Sequence, residues 1–165
     1  MRLVVADTGP LLHLGEIGAL TLLHSVGEIH VPESVEEEIS LLNKDWPSTR
    51  PPWVHVTALD SAHAAESRAW EHAGLLERGE AEAIGLTRQL LASWLLTDDA
   101  SARLMAEALG IEAHGSLGVV LWAAAERTVT RSEAEGLLTL LAQSSLWVSE
   151  RVLAEARAAL SKLFT

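Results

Sequence analysis

Short apolar runs alternate with longer amphipathic stretches along the chain. Arg2–Ala6 reads as a strand, and 9–24 as a helix with Leu11, Leu12, Ile17, Leu20 and Leu23 as its apolar positions. "EIHVP" at 28–32 predicts a short strand ended by Pro32. Ser34, with Glu37 three residues on, fits a capping box for a helix to about Leu42. The stretch "NKDWPSTRPPW" (43–53) holds three prolines and predicts a loop, and "WVHVTAL" (53–59) alternates like a half-buried strand. Helices are expected over 61–74 and 79–92, followed by a buried strand in "SWLLTD" (93–98). A helix over 99–109 stops at Gly110, a last strand fits 111–114, and helices near 116–126, 132–142 and 149–163 close the chain. Strands alternating with helices, the strands short and apolar, predict an α/β fold with a parallel sheet covered on both faces. No internal repeat or linker divides the chain. One domain over 1–165 is expected, its C-terminal helices (about 132–163) packing on the core or on a partner.

Composition sharpens this picture. The 165 residues are 48% hydrophobic, which argues for a folded core and against disorder. No apolar run approaches the roughly 20 residues of a spanning helix, and "LGVVLWAAA" (117–125) reads as a buried helix segment. With no secretory pattern at the N-terminus, the expectation is a soluble, cytoplasmic protein that does not engage membranes. The absence of cysteine excludes disulfides, thiolate metal sites and a thiol nucleophile. Twelve Lys and Arg against 23 Asp and Glu give a net charge of −11, the opposite of the usual nucleic-acid binder. Any polyanion must therefore be met through cations or a local basic patch.

The candidate chemistry lies in the acids. Ligands of open parallel sheets sit at the carboxyl ends of strands. Asp7 follows the first strand, and Asp98-Asp99 follows "WLLT". Each alone fits a helix cap, but two such sites on different strands would point into one cleft. In "SVEEEISLL" (34–42), at about 100° per residue, Val35, Ile39 and Leu42 share an arc. Glu36 and Glu37 then project to solvent, and Glu38 falls on the inward side. In "GEAEAIGLTRQLL" (79–91) the arc is set by Ala83, Ile84, Leu86, Leu90 and Leu91; Glu80 falls within it and Glu82 outside it. Asp7, Glu38, Glu80 or Glu82, and Asp98-Asp99 form an all-oxygen cluster suited to Mg²⁺ or Mn²⁺. Without metal such acids repel one another and their pKa values rise. With metal, the cluster becomes a site for phosphodiester hydrolysis.

Five segments in order, "VVADTGPLLHL", "VPESVEEEI", "GEAEAIGL", "LLTDDASAR" and "HGSLGVVLWA", resemble the PIN-domain family, specifically its short prokaryotic branch related to VapC-type toxin ribonucleases. The resemblance implies a three-layer α/β/α sandwich with a central parallel sheet. It also implies a metal-dependent endoribonuclease using Mg²⁺ or Mn²⁺, the toxin of a toxin–antitoxin pair, with RNA as substrate. The expected protein partners are a small antitoxin and a second copy of the chain in a homodimer. By this resemblance Asp7, Glu38, Glu80 or Glu82, and Asp98 or Asp99 are the catalytic acids. Asp7, Asp98, Asp99 and Glu80 are the candidate metal ligands. Thr8, Thr97 and Ser116 match positions near the site, and Arg103, four residues after Asp99, would pair with it or contact RNA. The Pro-rich insertion sets this chain apart, and its Trp46, Arg50 and Trp53 would pack the loop or an interface, or stack on bases.

Nothing else competes strongly. The seven histidines (13, 24, 30, 55, 63, 72, 114) form no zinc-ligand pair, and there is no P-loop, G-x-G-x-x-G or G-x-S-x-G. Trp70, Trp94, Trp122 and Trp147 read as core or interface. The alternative functions are an inactive PIN-scaffold binding module and a phosphotransfer receiver. Receivers need a lysine near the site, and only Lys44 and Lys162 exist here.

Overall fold

The computed structural model describes residues 1–165. Fifteen elements follow in order: β1 Leu3–Ala6, α1 Thr8–Glu16, α2 Leu22–Val26, β2 Glu28–Val31, α3 Glu33–Leu42, α4 Trp46–Thr49, β3 Val54–Val56, α5 Ser61–His72, α6 Arg78–Leu90, β4 Trp94–Leu96, α7 Ala100–Ala108, β5 Ala113–His114, α8 Ser116–Ala125, α9 Arg131–Gln143 and α10 Glu150–Leu163. The five strands are all parallel in the order β3-β2-β1-β4-β5. Helices cover both faces, giving the α/β/α layers of the expected fold.

β1 is the central strand, paired with β2 on one side and β4 on the other. Alternation along it sends Val4 and Ala6 into the larger core and Val5 into the smaller one, all without exposed surface. β4 splits the same way, with Trp94 and Leu96 on the larger side and Leu95 on the other. The smaller core is closed by Ala81, Ile84 and Leu86 of α6 and by Ala102 and Ala106 of α7. On the larger side α8 is apolar nearly all round because it packs against α1, α2, α9 and α10. The C-terminal helices add Ala134, Leu138, Leu141, Ala156 and Leu160 to that core.

Several sequence expectations are corrected. The helix expected over 9–24 is two helices. Gly18, at φ +72°, ends α1 with its N–H on the Gly15 carbonyl (3.1 Å) and the Ala19 N–H on Leu14 (2.8 Å), the paired bonds of a Schellman cap. Gly110 (φ +73°) ends α7 in the same way, as expected. Ser34 does not cap α3. The helix starts two residues earlier, after Pro32, and Ser34 is buried within it with its hydroxyl unpartnered. The loop at 43–53 contains the short helix α4. Leu91 leaves the apolar arc, turning into the left-handed region at φ 52° and standing 88% exposed.

Candidate functional site

The strand order reverses between β1 and β4, so the helices after these strands depart to opposite sides and leave a crevice at their carboxyl ends. Asp7 stands there at the end of β1, its N–H continuing the ladder to the Leu96 carbonyl (2.8 Å). Its Oδ1 accepts the Thr8 N–H (2.8 Å) and its Oδ2 the Thr97 hydroxyl (2.9 Å). Two of its roughly four lone-pair sites remain. Asp99 caps α7 by accepting the Ala102 N–H (2.8 Å), so it serves as a helix cap and also borders the crevice.

Two glutamates come from the flanking helices. Glu38 lines the crevice and accepts the Thr8 hydroxyl (3.0 Å). Phase brought it there, but the apolar arc ends at Ile39: Leu41 and Leu42 are 72% and 56% exposed. Glu80 lies in the first turn of α6, takes the Glu77 N–H (3.2 Å), and faces the same space. Glu82 does not. It turns to another hollow and pairs with Arg78 one turn back (2.9 Å). The resulting cleft holds about 400 Å³, with Asp7, Glu38, Glu80, Asp98 and Asp99 in its lining. Gly79 keeps it open, because a Cβ there would sit 3.1 Å from Glu38 Oε2 and 3.8 Å from Asp7 Oδ1.

Burial pushes the Asp7 carboxyl up to about 6, helped by the charges of Glu38 and Asp99 and opposed by the Thr8 and Thr97 hydrogen bonds. Burial likewise pushes Glu80 up to about 7, with Asp99 and Asp7 adding to it. None of Asp7, Glu38, Glu80 and Asp99 has a basic partner within ion-pair distance. Asp98 differs. Its Oδ2 accepts from His13 Nδ1 (2.8 Å) and the Ser116 hydroxyl (2.6 Å), and its Oδ1 from the Ser116 N–H (2.6 Å). Burial alone would raise its pKa, but these partners together hold it below the usual carboxylate range.

Residues 3–162 match the sequence model of a family described as the PIN domain. The chain belongs to the PIN-domain family. No curated protein matches it. PIN domains are generally nucleases that typically use divalent metal ions and act on RNA, so membership supports a nuclease-type hydrolase. No helix of this PIN domain is long and apolar enough to cross a membrane. As they stand, no three His, Asp or Glu side chains close around a common point. The donor set nevertheless suits a hard cation that keeps most of its waters and takes one or two carboxylates. The acids are all-oxygen donors without basic partners, gathered in a space that Gly79 leaves clear.

Other residues of this PIN domain fall differently from expectation. The hydroxyls of Thr8, Thr97 and Ser116 each donate to a carboxylate, so they fix acids in place. Arg103 is exposed and forms no ion pair with Asp99; the contact between them is the helical Arg103 N–H to the Asp99 carbonyl (3.0 Å). In the Pro-rich insertion Trp46 is buried and donates to Glu36 (2.8 Å), Arg50 pairs with the same carboxylate, and Trp53 tilts against His24. That loop packs, and Glu36 is its anchor, not a solvated side chain. His13 escaped the sequence reading because it stood alone among scattered histidines. Its signal was helical phase: it lies one turn after Gly9, where a Cβ would stand 3.2 Å from Asp98 Cβ.

Proposed function

We propose that this PIN domain is a Mg²⁺- or Mn²⁺-dependent endoribonuclease in which Asp7, Glu38, Glu80 and Asp99 hold the ion. The observation that carries this reading is four acids without basic partners sharing one cleft at the switch point of a parallel sheet. When bound, the ion activates water, neutralises the scissile phosphate and stabilises the leaving oxygen. The chain's own residues do the rest. Thr97 and the Thr8 N–H orient Asp7, and the Thr8 hydroxyl orients Glu38. Asp98 is a positioning residue: gripped by His13 and Ser116, it locks the start of α8 to α1 beside the cleft. A bound divalent cation would offset part of the charge of these acids in a chain carrying −11 and would offer a phosphate oxygen a ligand position there.

The finer reading is the toxin of a toxin–antitoxin pair, acting as a homodimer; its support is the ordered resemblance to VapC-type ribonucleases. The test is cleavage of a mixed RNA pool with and without Mn²⁺, alongside expression of the protein in cells. Metal-dependent cleavage and growth arrest, both removed by Asp7→Asn, are expected. Equal RNA binding by parent and variant with no cleavage under any metal would favour an inactive binding module.

A further inference from the structure

The loop joining α9 to α10, residues 144–149, holds Trp147 with 85% of its surface in water, while every other tryptophan is buried or half-buried. The loop itself is tied down. The Ser145 N–H donates to Glu16 Oε2 (2.9 Å), its hydroxyl to the other oxygen of the same carboxylate, and Ser144 closes the end of α9 on the Leu141 carbonyl (2.6 Å). Leu146 packs against the main core, and Ser149 caps α10. A large apolar ring is thus held in solvent on a fixed base, with no hydrogen bond from its indole N–H to another residue.

Its position is informative. Trp147, Leu146 and Asp98 border both the acidic cleft and a second hollow of about 400 Å³. Arg103, His114, Leu117 and Val148 line that second hollow. His114 is held by Glu112 (2.9 Å), but the Arg103 guanidinium has no ion pair and donates no hydrogen bond. It lies over Gly115, with Nη1 3.3 Å from where a Cβ would stand. A guanidinium without an ion pair and an exposed indole line the same hollow beside the acidic cleft. These are the two elements that bind single-stranded nucleic acid: a cation for the backbone and a flat face for a base.

We propose that Trp147 stacks on, and Arg103 contacts the phosphate of, a nucleotide flanking the scissile bond, so that single-stranded RNA runs from the acidic cleft over Trp147 into the second hollow. This rests on the nuclease reading above. Stacking on an indole tolerates any base, so these residues supply affinity and direction rather than sequence choice.

The experiment compares parent, Trp147→Ala, Trp147→Phe and Arg103→Ala on two substrates with Mn²⁺: a single-stranded RNA of about a dozen nucleotides and bis(p-nitrophenyl) phosphate, which has no flanking nucleotide. The readout is the ratio of their kcat/KM values. Trp147→Ala should lower that ratio at least about fivefold through the RNA KM, and Trp147→Phe should restore most of it. Arg103→Ala should lower it too, with a weaker dependence of binding on salt. In stopped flow with Mg²⁺, RNA should quench tryptophan emission in the parent and not in Trp147→Phe. A parent that hydrolyses both substrates while Trp147→Ala keeps its ratio would overturn the platform and leave the nuclease standing. A parent that hydrolyses neither would overturn both. A parental dimer that Trp147→Ala turns into monomer, with the ratio unchanged, would assign the ring to a contact between copies and overturn the proposal.

Discussion

Asp7 and Asp98 follow the neighbouring strands β1 and β4, and both are largely withdrawn from water, yet their surroundings treat them oppositely. Asp98 receives three hydrogen bonds, one from a histidine, and these outweigh its burial. Asp7 receives two, faces Glu38 and Asp99, and is pushed up to about 6. Burial is common to both; the donors decide. A saturated carboxylate is a strut. One left short of donors, among other acids, keeps lone pairs open.

The largest expected effect comes from exchanging charge at the short-changed acid. Asp7→Asn should lower metal-dependent cleavage more than about a hundredfold, beyond what outer-shell changes usually cost. It should also raise the melting temperature of the metal-free protein, since a repelled buried charge is gone. At the strut the signs should separate. His13→Ala or Asp98→Asn should lower cleavage about 10- to 100-fold through mispositioning. Either should also lower metal-free stability by about 1–3 kcal/mol, because a buried network loses a partner. If thermal melts show both aspartates responding with the same sign, the contrast fails.

Acidity tests the same contrast without mutation. An acid whose folded pKa is raised keeps its proton longer in the native state, so stability falls as pH rises from the unfolded value to the folded one. For Asp7 that window runs from 3.8 to about 6, and for Glu80 from 4.5 to about 7. Asp7 alone accounts for about 3 kcal/mol of lost stability by neutral pH; the more exposed Glu80 adds less. Asp98, with its pKa lowered, behaves in reverse, and its contribution is lost only as pH falls through its folded value. Denaturant titrations in a chelator should therefore show stability declining between about pH 4 and 7, and saturating Mg²⁺ should remove the decline. The smallest effect belongs outside the cleft. Glu82→Gln, breaking a surface pair with Arg78, should change stability by less than about 0.5 kcal/mol and leave cleavage intact, whereas Glu80→Gln should impair it.

Much of this was legible in the residues. Short apolar strands with helices between them imply a covered parallel sheet, and an acid ending such a strand implies a site at its carboxyl edge. The PIN-domain motifs followed in order. What escaped depended on geometry that spacing does not encode. Gly18 and Gly110 end helices by the same device, but only Gly110 stood at the end of a periodic run, so the break at Gly18 was hidden among leucines on both sides. Helical phase alone placed Glu80 inside and Glu82 outside, yet the register of "GEAEAI" matched either. The Arg78 ion pair separates them, and it is invisible in a pattern of apolar positions. Trp147 sits among apolar neighbours and read as core or interface. The tethering of its loop through Ser145 to Glu16, far away in sequence, is among the contacts that fix its place in solvent.

The acids around Asp7 are proposed to hold a divalent cation. Calorimetric titration of Mn²⁺ into the parent and Asp7→Asn near neutral pH, with RNA cleavage followed in the same samples, tests this most directly. Heat of binding and cleavage are expected in the parent, with loss of both in the variant and the fold retained. Equal Mn²⁺ binding by the two proteins, or none by the parent, would contradict the proposal.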